Sequence, residues 1–267
     1  ALIIHDTAPA AYGWNVVESS WTGPQYVAQS DNRGADQTRI NGWIQKPAAE
    51  KIFAAAGRNL DRLMQAARKK GFKPIPLGEL ASLSFQNDIN RKMSNNIVGV
   101  LPGTKRPDEY VLYSAHWDHL GICKPAPDGD NICNGAVDNA TGSAALVALA
   151  EAHVGAGAPD RSIIFLAVTA EESGLLGSQY YADHPIYPLA RTAGGVNMDA
   201  FSMAGPAKNL TVIGMGKSDM DDYLNAAARI EGRSPEPEPT PEKGYYYRSD
   251  HFSLAKKGVP MAYFEGG

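Results

Sequence analysis

Apolar residues in this chain fall in short unbroken runs separated by loops rich in Gly, Pro, Asn and Asp. Runs of this length suit strands buried on both faces, as in a parallel sheet. Residues Asn96–Leu101, Glu109–Ala115, Ser162–Val168, Gly194–Met198, Asn209–Ile213 and Gly258–Phe264 read as strands. The first ends at a Pro102-Gly103 turn. Between them, the Ala/Leu-rich stretch Gly142–His153, then Ser173–His184 and Ser218–Glu231, read as helices. Strand and helix in alternation predict an α/β fold: a mixed, mostly parallel sheet flanked by helices on both faces.

The N-terminal third is different. Residues 1–45 are strand and loop, polar and Gly-rich, with Ala1–Asp6 as the strand. Pro47–Lys70 reads as one or two helices, with Pro47 suited to a first turn and Gly71 to a stop. Lys73–Leu77 is an extended linker. Ser234–Glu242 alternates proline with acid and is expected to be extended and solvated.

A length of 267 residues, 43% of them hydrophobic, gives material for one large domain or one domain with part of a second. The net charge of −4 argues against a nucleic-acid partner. No apolar run approaches the roughly 18 residues of a membrane span. Cys123 and Cys133 share one irregular loop. An exported protein would join them, stabilising the loop by about 2–3 kcal/mol, and a cytosolic one would keep two free thiols.

Chemistry gathers at the strand ends. The run Glu109–Ala115 leads into His116, Asp118 and His119; Ser162–Val168 leads into Glu171 and Glu172; Gly194–Met198 leads into Asp199. Asp138 lies in the loop before the Ala/Leu-rich helix. Singly, each has a plain structural use: a solvated acid pair at a helix start, an Asx-turn, a core histidine. Together, in loops that a doubly wound sheet brings to one edge, they form an oxygen and nitrogen donor set suited to zinc, manganese or cobalt. Two adjacent glutamates can divide labour, one binding metal and one moving a proton.

The motifs His116-Trp-Asp118, Asp138-Asn139, Thr169-Ala-Glu171-Glu172-Ser-Gly-Leu-Leu-Gly177, Asn197-Met-Asp199 and Ser249-Asp-His251-Phe252 resemble the co-catalytic zinc aminopeptidases. That group includes bacterial leucyl aminopeptidases, aminopeptidase Y and glutamate carboxypeptidase II. The resemblance covers about Asn95–Gly267 and implies a zinc-exopeptidase (phosphorylase/hydrolase-like) fold. It implies two Zn2+ ions, with Mn2+ or Co2+ as substitutes. His116 and Asp199 would hold one, Glu172 and a further histidine the other, and Asp138 both. Asp118 would fix the His116 ring, and Glu171 would be the general base for a zinc-bound hydroxide attacking a peptide. It also implies a cis peptide at Asp138–Asn139.

The resemblance places the further histidine beyond Gly267, with His251 as the in-chain alternative, so residues 46–267 are expected to be a catalytic domain truncated at its C-terminal end. Residues 1–45 resemble the tail and linker of a protease-associated domain, or else hold an ordinary strand of the catalytic sheet. The expected substrate is a peptide cleaved at its N-terminus, with dipeptidase or carboxypeptidase action and a non-catalytic binding module as alternatives. The expected location is outside the cytoplasm. Tyr246, Tyr247, Ser249 and His251 are pocket candidates, although the tyrosines equally suit packing at the sheet edge. Thr211–Ser218 ends like a phosphate loop but has Thr211 where the first glycine belongs. No Gly-x-Ser-x-Gly elbow of a serine hydrolase occurs.

Overall fold

The computed structural model describes residues 1–21, 23–30, 32, 34, 35, 37–203 and 205–266, among them every predicted site residue. The chain forms two compact units, residues 1–24 with 29–92, and residues 25–28 with 93–267.

In the first unit, β1 (Leu2–His5) pairs in parallel with β2 (Gly42–Gln45) as a two-stranded sheet. It also contains α1 (Thr7–Ala10), α2 (Trp14–Trp21), α3 (Lys46–Ala55) and α4 (Leu60–Ala67). The stretch Pro47–Lys70 is thus two helices. Pro47 occupies the first turn of α3, where its missing N–H costs nothing. The Asn59 side chain caps α4 by accepting the Arg62 N–H.

The second unit is built on seven strands: β3 (Ile97–Leu101), β4 (Arg106–His116), β7 (Arg161–Val168), β8 (Thr192–Asn197), β9 (Asn209–Val212), β10 (Ser234–Pro237) and β11 (Met261–Gly266). They lie in the order β10-β9-β11-β8-β4-β7-β3. The β4–β7, β4–β8, β8–β11 and β9–β10 pairs are parallel, and β3–β7 and β9–β11 are antiparallel. A separate antiparallel hairpin joins β5 (Gly121–Ile122) to β6 (Ile132–Cys133). The helices are α5 (Ala140–Ala156), α6 (Leu176–Asp183), α7 (Met220–Ile230) and α8 (His251–Ala255).

Strand alternation sorts the core into two layers. Leu112, Ile164, Leu166 and Val168, each 0% exposed, pack with Tyr181 of α6 and Leu254 of α8. Their neighbours Tyr113, Ala115, Phe165 and Ala167 pack with Leu146 of α5. The sheet is therefore covered on both faces. Ser234–Pro237 is extended and mostly exposed, as expected, and it also pairs with β9 at the sheet edge. Its prolines alternate with residues whose N–H groups face the partner, as Ser234 donates to the Lys208 carbonyl, so no ladder bond is lost.

The placement of β4 decides where function sits. From β4 the chain passes through α5 to β7 on one side, then through α6 to β8 on the other. The order reverses at β4, and such a switch point opens a crevice at the carboxyl ends of the strands.

Candidate metal centre

Three strands end at this crevice, and each delivers an acid or a histidine. His116 is the last residue of β4, Asp199 follows β8, and Glu171 and Glu172 follow β7. The chain turns sharply after two of these strands. Ala170 (φ 56°) and Ala200 (φ 52°) adopt the left-handed conformation. A residue with a Cβ is disfavoured there by roughly 1–2 kcal/mol, so packing holds both turns. The turn at Ala170 and a second left-handed residue, Leu175, delay the start of α6 to Leu176, three residues past the predicted Ser173.

Asp138 arrives from the loop before α5, and its peptide bond to Asn139 is cis. Asn139, 2% exposed, ties this loop to the end of β8. Its side-chain oxygen accepts the N–H groups of Gly142 (3.0 Å) and Ala200 (3.1 Å), and its amide donates to the Met198 carbonyl (3.0 Å). Gly142 must be glycine for this to close: a Cβ there would lie 2.4 Å from the Asn139 oxygen.

Around His116 the geometry is tight. Its Nε2 lies 3.1 Å from Asp138 Oδ1 and 3.1 Å from Asp199 Oδ1. Its Nδ1 donates to the Asp118 carbonyl oxygen at 3.0 Å, and the Asp118 carboxylate is farther, at 3.8 Å. That carboxylate instead accepts the Glu171 N–H at 3.1 Å. Asp118 therefore fixes both the ring and the glutamate, the ring through its main chain. Behind Asp199 runs a buried chain of hydrogen bonds: Ser114 donates to Asn197, Asn197 to Ser249, and Ser249 to Asp199 Oδ2, at 2.7, 2.7 and 2.6 Å.

A second cluster shares Asp138. Donor atoms of His119, Asp138 and Glu172 lie within 4.8 Å of one another, as do those of His116, Asp138 and Asp199. His119 was given no role from sequence, although the His-x-Asp-His spacing of 116–119 carries the signal.

Charge explains what such a site demands. Burial alone would lower the His116 pKa, but the carboxylates of Asp138 and Asp199 outweigh it and raise it to about 11. Burial, then the charge of Asp250, lift Glu171 to about 9. Glu172 is raised by burial and by Asp138. Burial also lifts Asp250, 1% exposed, to about 7. So many carboxylates in a low-dielectric crevice call for compensating cations. His119 Nδ1 lies 2.6 Å from Glu172 Oε1 and His116 Nε2 3.1 Å from Asp138 Oδ1, but none of His119 Nδ1, Asp138 Oδ1 and Glu172 Oε1 makes a hydrogen bond of good geometry, as suits donor atoms turned toward a metal. The residues present fit zinc.

The pocket candidates divide. Ser249 belongs to the chain behind Asp199. His251 is 0% exposed, with ring centres of Tyr246 and Tyr263 at 4.9 and 4.8 Å, and burial lowers its pKa to about 4. It is in neither donor cluster. Tyr247 is 57% exposed. Cys123 and Cys133 form a disulfide that closes the β5–β6 hairpin.

Residues 96–266 match the family model described as "Peptidase family M28". The chain belongs to peptidase family M28. Among its relatives, mouse aminopeptidase NAALADL1 is 32% identical over 138 residues, which are 48% of this chain and 17% of that protein. A probable zinc metalloprotease of Pyrenophora tritici-repentis is 36% identical over 114 residues, 42% of this chain and 24% of that protein. The chain thus spans a quarter or less of the length of these relatives. Legionella pneumophila LapA, at 21% identity, shares the fold with a TM-score of 0.50 over 64% of this chain and 45% of its own.

Proposed function

We propose that this M28 chain carries the catalytic centre of a two-zinc exopeptidase, most readily an aminopeptidase acting on the free N-terminus of a peptide. The observation that carries the reading is the convergence of two three-residue donor clusters on Asp138, at the carboxyl ends of β4, β7 and β8. Three protein ligands per ion is the catalytic pattern, which leaves a position open. His116 and Asp199 would hold one ion, Glu172 the other, with Asp138 between the two clusters. When bound, the zinc pair supplies Lewis acidity and lowers the pKa of water.

The residues do the rest. Asp118 holds the His116 ring by its main chain, which directs Nε2 into the crevice. Glu171, anchored at its N–H by the Asp118 carboxylate, takes a proton from the attacking water and returns it to the leaving amine. Its raised pKa comes chiefly from burial, and positive charge at His116 already opposes that rise. Positive charge of a metal held there would deepen that opposition, so Glu171 would act as the ionised base.

The disulfide supports an exported protein. The separate β1–β2 sheet supports reading residues 1–45 as the tail of a protease-associated-type domain rather than a strand of the catalytic sheet. The test is hydrolysis of leucine p-nitroanilide beside an N-acetylated peptide, with zinc content measured in parallel. Cleavage of the free N-terminus alone is expected. Cleavage of the blocked peptide from its C-terminal end would make the enzyme a carboxypeptidase, and no zinc with no turnover would make the unit a binding module.

A further inference from the structure

We propose that an open cleft in the first unit, at the carboxyl ends of β1 and β2, binds a neutral polyhydroxyl ligand, a sugar residue. The cleft is lined only by residues of that unit and shares none with the metal centre, so the inference is independent of the two-zinc reading.

Both strands of the parallel pair end here. His5 closes β1, Gln45 closes β2, and the chain turns from Gln45 directly into α3. His5, Asp6, Trp14, Gln45, Lys46 and Glu50 line a volume of about 360 Å³, which suits a ligand of monosaccharide size.

The walls are held in place from behind. His5 is 5% exposed and packs against the rings of Tyr12 and Trp14, at 5.4 and 5.7 Å between centres. Its Nε2 lies 3.3 Å from the Thr7 hydroxyl, while its buried Nδ1 has no hydrogen-bond partner and calls for one. Lys46 Nζ is held by Asp6 and Asp61, each at 3.1 Å. The Lys46 and Asp6 side chains stay 28% and 27% exposed, so the pair presents a donor and an acceptor side by side. Trp14 gives its one N–H to Glu18 at 3.1 Å, and what it brings to the cleft is an apolar ring.

Charge selects the ligand. Lys46 only donates, Asp6 and Glu50 only accept, and Gln45 and His5 do both. A phosphate or carboxylate would face Asp6 and Glu50, and an ammonium would face Lys46; like charges so placed oppose binding in either case. A hydroxyl donates and accepts at once and carries no charge. Neighbouring hydroxyls therefore match the Lys46–Asp6 pair, and the C–H face of a sugar ring matches the indole.

The experiment is ligand-observed NMR on the full chain with glucose, galactose, mannose and N-acetylglucosamine, beside inorganic phosphate and ethylamine. Saturable binding of at least one sugar is expected, with a dissociation constant of roughly a millimolar, as suits so small a ligand. Glu50→Gln should weaken it by about three- to tenfold, because a charged acceptor becomes a neutral one. Trp14→Ala should weaken it by more than about tenfold, and Trp14→Phe, which keeps an aromatic face, should retain most of it. Glu50 is exposed, so Glu50→Gln keeps the fold and carries the test even where Trp14→Ala does not fold. No saturable binding of any sugar would overturn the proposal, as would binding that Glu50→Gln and Trp14→Ala both leave unchanged. Binding of phosphate or ethylamine in place of the sugars would overturn its chemistry.

Discussion

The two donor clusters share a carboxylate but are built differently. At the first, side-chain exposure is 1% for His116 and 11% for Asp199, and each is held from behind by a hydrogen bond. At the second, exposure is 22% for His119 and 21% for Glu172, and the facing atoms have no such support. The first grows from strand ends inside the sheet, the second from a loop and a turn. On the proposed two-ion reading, the first site is set by the fold before any ion arrives, and the second would be completed by its ion, so it should bind more weakly and exchange faster.

The largest effect lies outside both clusters. Glu171→Gln should lower kcat by roughly 10²–10⁴-fold and keep both zinc ions, as measured by anilide hydrolysis and elemental analysis. Lost zinc would make Glu171 a ligand and collapse the division of roles. Asp138→Asn should weaken both sites together in a metal titration. By contrast, Ser249→Ala should weaken only the first, by about 10–100-fold, because it frees Asp199 Oδ2. Equal weakening of both sites by Ser249→Ala would erase the asymmetry.

Stability of the metal-free chain should fall as pH rises from 6.5 to 9. His116, raised to about 11, and Glu171, raised to about 9, both keep protons in the folded state that the unfolded chain has released. His116 therefore stabilises fully below 6.5 and loses its contribution as pH rises toward 11, while burying Glu171 becomes more costly between 4.5 and 9. Below pH 6.5 the lowered His251 works against this trend, so melts at 6.5 and 9 give the clean contrast. Zinc competes with the same protons, and its stabilisation should grow with pH; a flat profile without metal would contradict the charge balance described. The smallest effect is Ala170→Gly, expected to stabilise by about 0.5–1 kcal/mol in thermal melts by relieving the left-handed alanine.

The sheet was legible because its strands are buried on both faces and so read as continuous apolar runs. The meeting of His116, Asp138, Glu172 and Asp199 was legible for a related reason: two of them directly follow such runs, and Glu172 comes four residues after one. His119 was not, because its place depends on a loop folded back by a disulfide and on the room at Gly135, neither of which has a period. The edge strand β10 was obscured by its prolines, which signal solvated chain unless their alternation is matched to one-sided pairing. The Ser114–Asn197–Ser249 chain was invisible for a third reason. It links residues from β4, β8 and the segment before α8 that meet only in the folded sheet.

The bridge from Cys123 to Cys133, a separation of ten residues, stands between His119 and Asp138 in the chain. It short-circuits the path joining those two side chains, so the exposed excursion through Pro125, Asp128 and Asp130 is mechanically outside the site it interrupts. Such a segment can lengthen, shorten or change charge between relatives without moving a donor atom. It gives the molecule a place to acquire new surface while the chemistry of the site stays fixed.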